Sequence, residues 1–255
     1  MPRVAIVVST VGYHWEEVYR AYVEFVRAGF DILFFTVDGS PPQADPISLE
    51  KHSILNWVGY GISPAIAPDA AAGRDLWQKL SGVQPVARLE PDQVDILYIP
   101  GGHGCLFDVN RHPEVRRKVE AVYRQHKLLA SVCHATSTLA FARDHDRPIT
   151  QGKRLTGFPD LLDHILIRLR GVHTGFLPIP YSNDRALLES GARIGPWTRL
   201  WATLNPWFSR WDKPFATGLG PKAAGATARR VILEYSKAPR TAPTTGTRHE
   251  QGNRV

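Results

Sequence analysis

The feature that most constrains the fold is a set of short apolar strand patterns that alternate with helical patterns. The segment RVAIVVS, from Arg3 to Ser9, is an apolar, β-branched run, which is typical of a strand buried on both faces of a parallel sheet. From Glu16 to Ala28 the apolar residues recur at helical spacing, and Gly29 supplies a stop. FDILFFTV, from Phe30 to Val37, predicts the next strand. Together these segments predict a right-handed βαβ unit.

The same alternation continues toward the middle of the chain. DILYIP (Asp95 to Pro100) and LLASV (Leu128 to Val132) predict two further strands, with a helix opening at Pro113 between them and another from His134 to Arg143. A chain of 255 residues is long enough for one large α/β domain with a substantial core. We therefore predict a single domain over residues 1–236, with a doubly wound, mostly parallel sheet sandwiched by helices in a flavodoxin-like layout.

Two segments depart from this alternation. Residues 193–213 contain four of the seven tryptophans, and we expect them to form an insertion in the domain. Residues 237–255 are rich in Pro, Thr, Gly and Arg and lack apolar periodicity. Such a composition cannot bury enough apolar surface to fold, so we predict a disordered C-terminal tail.

Composition excludes several classes of protein. No apolar run approaches roughly 18 residues, the length of a transmembrane helix, and the N-terminus turns acidic too early for a signal peptide. We therefore predict a cytoplasmic protein with no membrane contact. The two cysteines, Cys105 and Cys133, are too few for a disulfide scaffold or a cysteine-rich zinc site. The net charge is +7, but the basic residues are scattered, so we expect no nucleic-acid partner.

The candidate reactive group is Cys133, which falls where a predicted strand ends and a helix begins, in LLASVCHATSTLA. Such a turn exposes the side chain and directs it toward helix N–H groups, which lower the thiol pKa and favour the thiolate. The carboxyl ends of parallel strands meet at one edge of a sheet. We therefore expect Glu17, which follows the first strand, to lie near Cys133 and to hydrogen-bond its sulfur.

Two further features at this edge suit proton transfer and charge stabilisation. The glycines of PGGHG let backbone N–H groups approach a ligand closely, so they are candidates for an oxyanion hole. His134 is a candidate general base or acid, although adjacent residues in a helical turn diverge and it need not touch the sulfur. Asp163 and Asp160, in TGFPDLLDH, are both candidates to orient it. His103 also lies near the site, and no spacing indicates a metal site.

Several motifs, taken in order, resemble those of the ThiJ/PfpI superfamily, which has the class I glutamine amidotransferase-like fold. They are GYHWEEV, ILYIPGGHG, LLASVCHATSTLA, LTGFPDLLD and TGLGPKAAGATARRVI. The GGHG and CH versions are most similar to the glyoxalase III and stress-chaperone branch. The resemblance covers residues 3–236 apart from parts of 50–85 and 193–213. It implies a homodimer that acts on a small electrophilic substrate without cofactor or metal.

The resemblance also implies roles for particular residues. Cys133 matches the nucleophile of a strand-to-helix elbow, and Glu17 matches the protonated acid beside it. His134 matches the acid/base, and Asp163 matches its orienting carboxylate. We expect the backbone N–H groups of Gly101, Gly102 and His134 to form the oxyanion hole. We expect the substrate to contact Trp15, His103 and Gly104.

These roles predict a glyoxalase that needs no glutathione and converts methylglyoxal, or a similar 2-oxoaldehyde, to a 2-hydroxy acid through a hemithioacetal at Cys133. Two alternatives stay open. One is an isonitrile hydratase or amide hydrolase with a larger apolar substrate, since Ala135 and Thr136 replace the usual Gly-Pro of the family. The other is a holdase chaperone or redox sensor, because a reactive thiol is oxidisable and clustered tryptophans can present an apolar surface.

Overall fold

A seven-stranded sheet forms the centre of the protein. The structure, a computed structural model, describes residues 1–51, 61–170, 178–195 and 204–237. The strands are β1 (Arg3–Val7), β2 (Asp31–Thr36), β3 (Gln84–Pro85), β4 (Ile96–Ile99), β5 (Leu128–Val132), β6 (Arg143–Asp144), β7 (Arg147–Pro148), β8 (Ser209–Asp212) and β9 (Phe215–Gly218). The sheet order is β3-β2-β1-β4-β5-β9-β8, and all neighbours are parallel except β8 and β9. Strands β6 and β7 form a separate antiparallel pair.

Helices cover both faces of this sheet. They are α1 (Trp15–Arg27), α2 (Ala71–Ser81), α3 (Pro113–Arg124), α4 (Thr136–Phe141), α5 (Asp160–Arg170), α6 (Asn183–Glu189) and α7 (Ala224–Lys237). Successive residues of a strand point to opposite faces, and β1 follows this rule. Val4 and Ile6 join a core that includes α1, α2 and α7, whereas Ala5 and Val7 join a second core with α3, α4 and α6. Burial on both faces explains why the strands read as continuous apolar runs.

The predicted fold class is confirmed, and the segments predicted as β1, α1, β2, β4 and β5 are present. The structure differs in the tryptophan-rich segment, where residues 209–212 form β8 and pair with β9. That part belongs to the central sheet and is not an insertion. Every residue of β8 is half-buried, so the strand has no apolar run that sequence patterning could detect. Trp211 packs against the core from this edge strand.

Some predictions fall on residues outside the described ranges. They include the region around Trp197 and Trp201, and almost all of the tail predicted to be disordered, from residue 238 onward. Within the described ranges, no helix combines the length and apolarity needed to cross a membrane.

Candidate active site

The site is built around the junction that follows β5. All five residues of β5 are buried, and the chain then turns at Cys133, which has a left-handed φ of 58°. A non-glycine residue in this region is uncommon and is found at functional turns. A 3-10 turn (Cys133–Ala135) and α4 follow directly. This geometry is the strand-to-helix elbow that the sequence predicts.

Glu17 lies beside this elbow, in the first turn of α1. Its side chain is fully buried, and Oε2 accepts a hydrogen bond from the Gly101 N–H at 2.6 Å. The carboxyl group of Glu17 also interacts with the Cys133 thiol. Its other oxygen, Oε1, makes no further hydrogen bond to a described residue. Burial raises the pKa of Glu17 to about 8, against the smaller opposing effects of Cys133 and Gly101. Glu17 is therefore mostly protonated at neutral pH and can donate a proton.

The surroundings of the Cys133 sulfur favour the protonated thiol, whereas the sequence pattern favours a thiolate. Cys133 is only 4% exposed, and burial together with the nearby Glu17 raises the pKa of the thiol well above its usual range. The backbone N–H of His134 hydrogen-bonds the sulfur and opposes this effect without reversing it. Activation of Cys133 therefore requires a base that removes its proton.

His134 is placed to be that base. Its Nδ1 lies 3.3 Å from the Cys133 Sγ, so the two adjacent side chains do touch. The left-handed turn at Cys133 brings them together, whereas regular helical geometry would separate them. The His134 ring packs between the rings of His103 and Phe158, at centroid distances of 4.8 and 5.2 Å. These neighbours fix the plane of the imidazole.

Asp163, and not Asp160, is the carboxylate that meets this imidazole. Asp163 Oδ2 lies 3.1 Å from His134 Nε2, and the side chain is 4% exposed. Asp160 instead accepts hydrogen bonds from the Ser182 hydroxyl and the Asn183 N–H at the start of α6. Both residues lie in the first turn of α5, but only Asp163 faces the site.

His103 occupies a position that sequence reasoning assigned to substrate contact. Its Nε2 lies 3.3 Å from Asp163 Oδ1, and its Nδ1 lies 2.7 Å from Asp45 Oδ2. Both ring nitrogens of His103 therefore contact carboxylate oxygens. This differs from the predicted role, in which His103 contacts the substrate. Asp45 was missed by the sequence analysis. The only available signal was the Asp-Pro pair that opens the 3-10 turn Pro46–Leu49, and it points to a helix cap.

The glycines after β4 pack the elbow tightly. The Gly101 N–H donates its hydrogen bond to Glu17 Oε2. It is therefore not available to stabilise an oxyanion, which is the role predicted for Gly101. Gly102 has a φ of 111°, and a Cβ there would lie 2.4 Å from the Gly12 carbonyl oxygen. The Gly104 N–H donates to the Gly12 carbonyl oxygen, and a Cβ on Gly104 would lie 2.4 Å from the Gly12 nitrogen. Gly104 is thus a packing residue and not a substrate contact. The oxyanion role of the Gly102 and His134 N–H groups stays a prediction.

Trp15, a predicted substrate contact, and Cys105, the second cysteine, are both buried away from solvent. Trp15 is 0% exposed, its Nε1 donates to the Ile66 carbonyl oxygen at 2.6 Å, and its ring packs against Trp77. Residues two apart on a helix point about 200° apart. Since the Glu17 side chain faces the site, the Trp15 side chain faces the core. Cys105 is also 0% exposed, and its thiol donates to the Gly102 carbonyl oxygen. Burial raises the pKa of Cys105 well above its usual range, so it is poorly suited to resolve an oxidised Cys133.

One group of described side chains has the composition of a metal site. Ligand atoms of His103, His134 and Asp163 all lie within 4.8 Å of one another. However, Nε2 of each histidine is directed at an Asp163 oxygen. The arrangement in the structure is therefore two imidazoles that share one carboxylate.

A cysteine at a strand-to-helix elbow, with an adjacent His–Asp pair and a buried acid, defines an α/β protein with a cysteine nucleophile. The chain belongs to the DJ-1/PfpI family, whose family profile matches residues 2–174. This confirms the resemblance read from the motifs.

Named relatives fall in the same family. The glutathione-independent glyoxalase hsp3101 of Schizosaccharomyces pombe is 24% identical over 229 residues, which cover 87% of this chain and 86% of that protein. The protein/nucleic acid deglycase HchA of Pseudomonas aeruginosa is 23% identical over 235 residues, covering 88% and 74%. The crystal structure of glyoxalase III from Candida albicans matches with a TM-score of 0.69 and 21% identity, over 91% of this chain and 96% of that chain. This last likeness shows a shared fold.

Proposed function

We propose that this protein is a glutathione-independent glyoxalase that converts a 2-oxoaldehyde, such as methylglyoxal, to a 2-hydroxy acid without a cofactor. The observation that supports it most directly is the line of contacts from Cys133 through His134 to Asp163, beside the buried acid Glu17. The site thus combines a nucleophile, a base and a protonated acid. The similarity to hsp3101, described as a glutathione-independent glyoxalase, favours this activity.

The first step is addition of the thiol to the aldehyde. His134 Nδ1 accepts the thiol proton as the Cys133 sulfur attacks the aldehyde carbon. The sulfur–carbon bond forms, and the electron pair of the carbonyl π bond moves to oxygen. That oxygen takes the proton back from His134, which gives a hemithioacetal and a neutral imidazole.

The second step moves hydrogen from one carbon to the next. His134 removes the hydrogen of the hemithioacetal carbon as a proton, while the neighbouring ketone oxygen takes a proton from Glu17, and an enediol results. The second carbon then takes the proton from His134, and the first hydroxyl returns its proton to Glu17. The product is a thioester, which water hydrolyses to the 2-hydroxy acid and the free thiol. The sequence is redox-neutral overall and needs no external oxidant.

Turnover of methylglyoxal in the absence of glutathione tests this function. We expect Cys133→Ala to lower kcat/KM by at least about 10³-fold, because the covalent path is lost. Cys105→Ala is the matched control and should retain most activity, since this thiol donates to the Gly102 carbonyl oxygen and has no part in the proposed steps. A Cys133→Ala protein that matched the wild type would overturn the proposal.

An amide hydrolase or isonitrile hydratase is the second candidate function. A Cys–His–Asp arrangement serves acyl transfer on several unrelated folds, and Cys133, His134 and Asp163 have that arrangement. Turnover of amides or isonitriles by a protein that is inactive on 2-oxoaldehydes would favour this candidate.

A holdase function is favoured by a different observation. In the described part of the tryptophan-rich segment, Leu204 is 68% exposed and Trp207 is 58% exposed, and exposed apolar side chains can bind unfolded chains. Suppression of client aggregation by the Cys133→Ala protein would support it.

We also propose a cytoplasmic location and a homodimer. Both cysteines are free, which suits a reducing compartment. The homodimer rests on the family resemblance alone. Light scattering on the purified protein at several concentrations would measure its mass and test the dimer directly.

A further inference from the structure

We propose that Asp45 and His103 form a positioning pair, which holds the Asp163 carboxylate in place and thereby keeps the His134 imidazole directed at the Cys133 thiol. The pair acts through Asp163 and does not touch the substrate. This inference rests on the proposed function for its kinetic readout, but its effect on the two imidazoles is measurable without any substrate.

A continuous line of hydrogen bonds joins Cys133 to a second buried carboxylate. Asp163 Oδ2 lies 3.1 Å from His134 Nε2, and Asp163 Oδ1 lies 3.3 Å from His103 Nε2. His103 Nδ1 lies 2.7 Å from Asp45 Oδ2. Each Asp163 oxygen therefore serves a different imidazole. The carboxylate cannot rotate away from His134 without also breaking its bond to His103.

Asp45 is itself fixed by its backbone context. It caps the 3-10 turn Pro46–Leu49, and its Oδ1 accepts a hydrogen bond from the Ile47 N–H at 3.1 Å. Its side chain is 1% exposed, so Oδ2 has little access to water and is directed to His103. The loop after β2 is thereby tied, through His103, to the first turn of α5. Supporting partners of this kind orient a catalytic imidazole–carboxylate pair.

The charges around His103 favour an imidazolium ion. Burial disfavours the charged ring, but the hydrogen bonds and charges of Asp163 and Asp45 outweigh it and raise the pKa of His103 to about 10. Despite burial, the two imidazoles hold the pKa of Asp163 well below its usual range. Among the described residues, the titratable groups that face His103 are Asp45, Asp163, the tilted ring of His134 and, at longer range, Glu17.

The geometry explains why the pair matters for proton transfer. Because Asp163 Oδ1 is held by His103, Asp163 Oδ2 stays directed at His134 Nε2. That contact in turn keeps His134 Nδ1 directed at the Cys133 Sγ, 3.3 Å away.

Kinetics of His103→Gln with methylglyoxal give the first test. Glutamine keeps a neutral donor near Asp163 but removes the charge. We expect kcat to fall about 10- to 100-fold with KM within about twofold. Asp45→Asn should act in the same direction with a smaller effect. A raised KM with an unchanged kcat would overturn the proposal and return His103 to the substrate-contact role.

A solvent-exposed histidine supplies the control. His145 lies in a turn with a left-handed φ of 51°, which asparagine tolerates, and its side chain is 90% exposed. His145→Asn should therefore keep the wild-type rate and pH profile. Thermal unfolding of every variant separates a charge effect from loss of the folded protein.

Nitrogen-15 NMR of histidine-labelled protein tests the pair without substrate. We expect both His103 ring nitrogens to be protonated at about pH 8 in the wild type, and the His134 ring signals to shift in His103→Gln, because Asp163 is no longer held in place. A neutral His103 ring at about pH 8 would overturn the proposal. This outcome is independent of whether the protein turns over any 2-oxoaldehyde, so failure of the pair and failure of the glyoxalase function are distinguishable.

Discussion

Burial of a single residue, Glu17, supplies a proton for the proposed catalysis but lowers the stability of the folded protein as pH rises. Its pKa is raised from 4.5 to about 8 in the folded protein because the carboxyl group is fully buried. Between these two pH values, an unfolded chain releases a proton that the folded chain retains. The folded state therefore binds more protons, and the free energy of unfolding falls as pH rises from about 4.5 to about 8. The same retained proton is the one that the proposed mechanism uses.

Glu17→Gln separates these two effects. The amide has the shape of the protonated acid but does not titrate, so the variant should nearly equal the wild type near pH 4.5 and exceed its stability by about 4 kcal/mol near pH 8. Its turnover of methylglyoxal should fall, because an amide does not transfer the proton. Urea unfolding at about pH 5, 6.5 and 8 measures the difference in unfolding free energy. A difference that does not change with pH would contradict the assignment of Glu17 as the retained acid.

At the scale of elements, the ends of β4 and β5 approach more closely than side chains allow. A Cβ placed on Gly101, two residues beyond β4, would lie 2.7 Å from the Cys133 Cβ and 2.9 Å from the Val132 carbonyl oxygen. It would also lie 3.0 Å from Glu17 Oε2. The two closest atoms, the Cys133 Cβ and the Val132 carbonyl oxygen, belong to the elbow and cannot move aside as the end of a flexible side chain would. Glycine at this position keeps nucleophile and acid in contact.

Gly101→Ala should therefore separate the two strand ends. We expect a loss of about 1–3 kcal/mol in unfolding free energy, as for other overpacked sites, and a loss of most activity as Glu17 and Cys133 move apart. Gly82→Ala is the control, because a Cβ there meets only the Lys79 carbonyl oxygen at 3.8 Å. Urea unfolding and methylglyoxal turnover measure both variants. Full activity in Gly101→Ala would show that this close approach is not required.

For the molecule as a whole, the sequence predicts the elements that are buried on both sides and misses those that are not. Strands β1, β2, β4 and β5 are apolar runs, and elements of this kind are visible in a single sequence. Strand β3 has two residues and β8 is half-buried throughout, so neither gives a pattern. Their place depends on pairing with distant strands.

The same reasoning applies to the site. Cys133, Glu17 and His134 were predicted because they follow strand ends or adjoin one that does, and strand ends share an edge. Asp45 was missed because it reaches the site through a loop whose path no local pattern dictates. Trp15 was misplaced because it lies two residues before Glu17 on α1, and the helix turns the two side chains apart.

A buried ion pair joins two residues that are far apart in the sequence, Glu16 on α1 and Lys222 just before α7. Lys222 Nζ lies 2.9 and 3.0 Å from the two Glu16 carboxylate oxygens, across 206 residues of sequence. Glu16 is 0% exposed and also pairs with Arg20, whose Nε lies 2.6 Å from Glu16 Oε1. Because Arg20 keeps its bond to the carboxylate, Lys222→Met should cost about 1–3 kcal/mol. Adding Glu16→Gln should restore part of that loss, whereas Arg229→Met, which breaks an exposed pair with Glu24, should cost at most about 1 kcal/mol. Urea unfolding of the single and double variants measures the coupling free energy between Glu16 and Lys222. If the losses of Glu16→Gln and Lys222→Met were additive, the two residues would not be coupled and the prediction would be wrong.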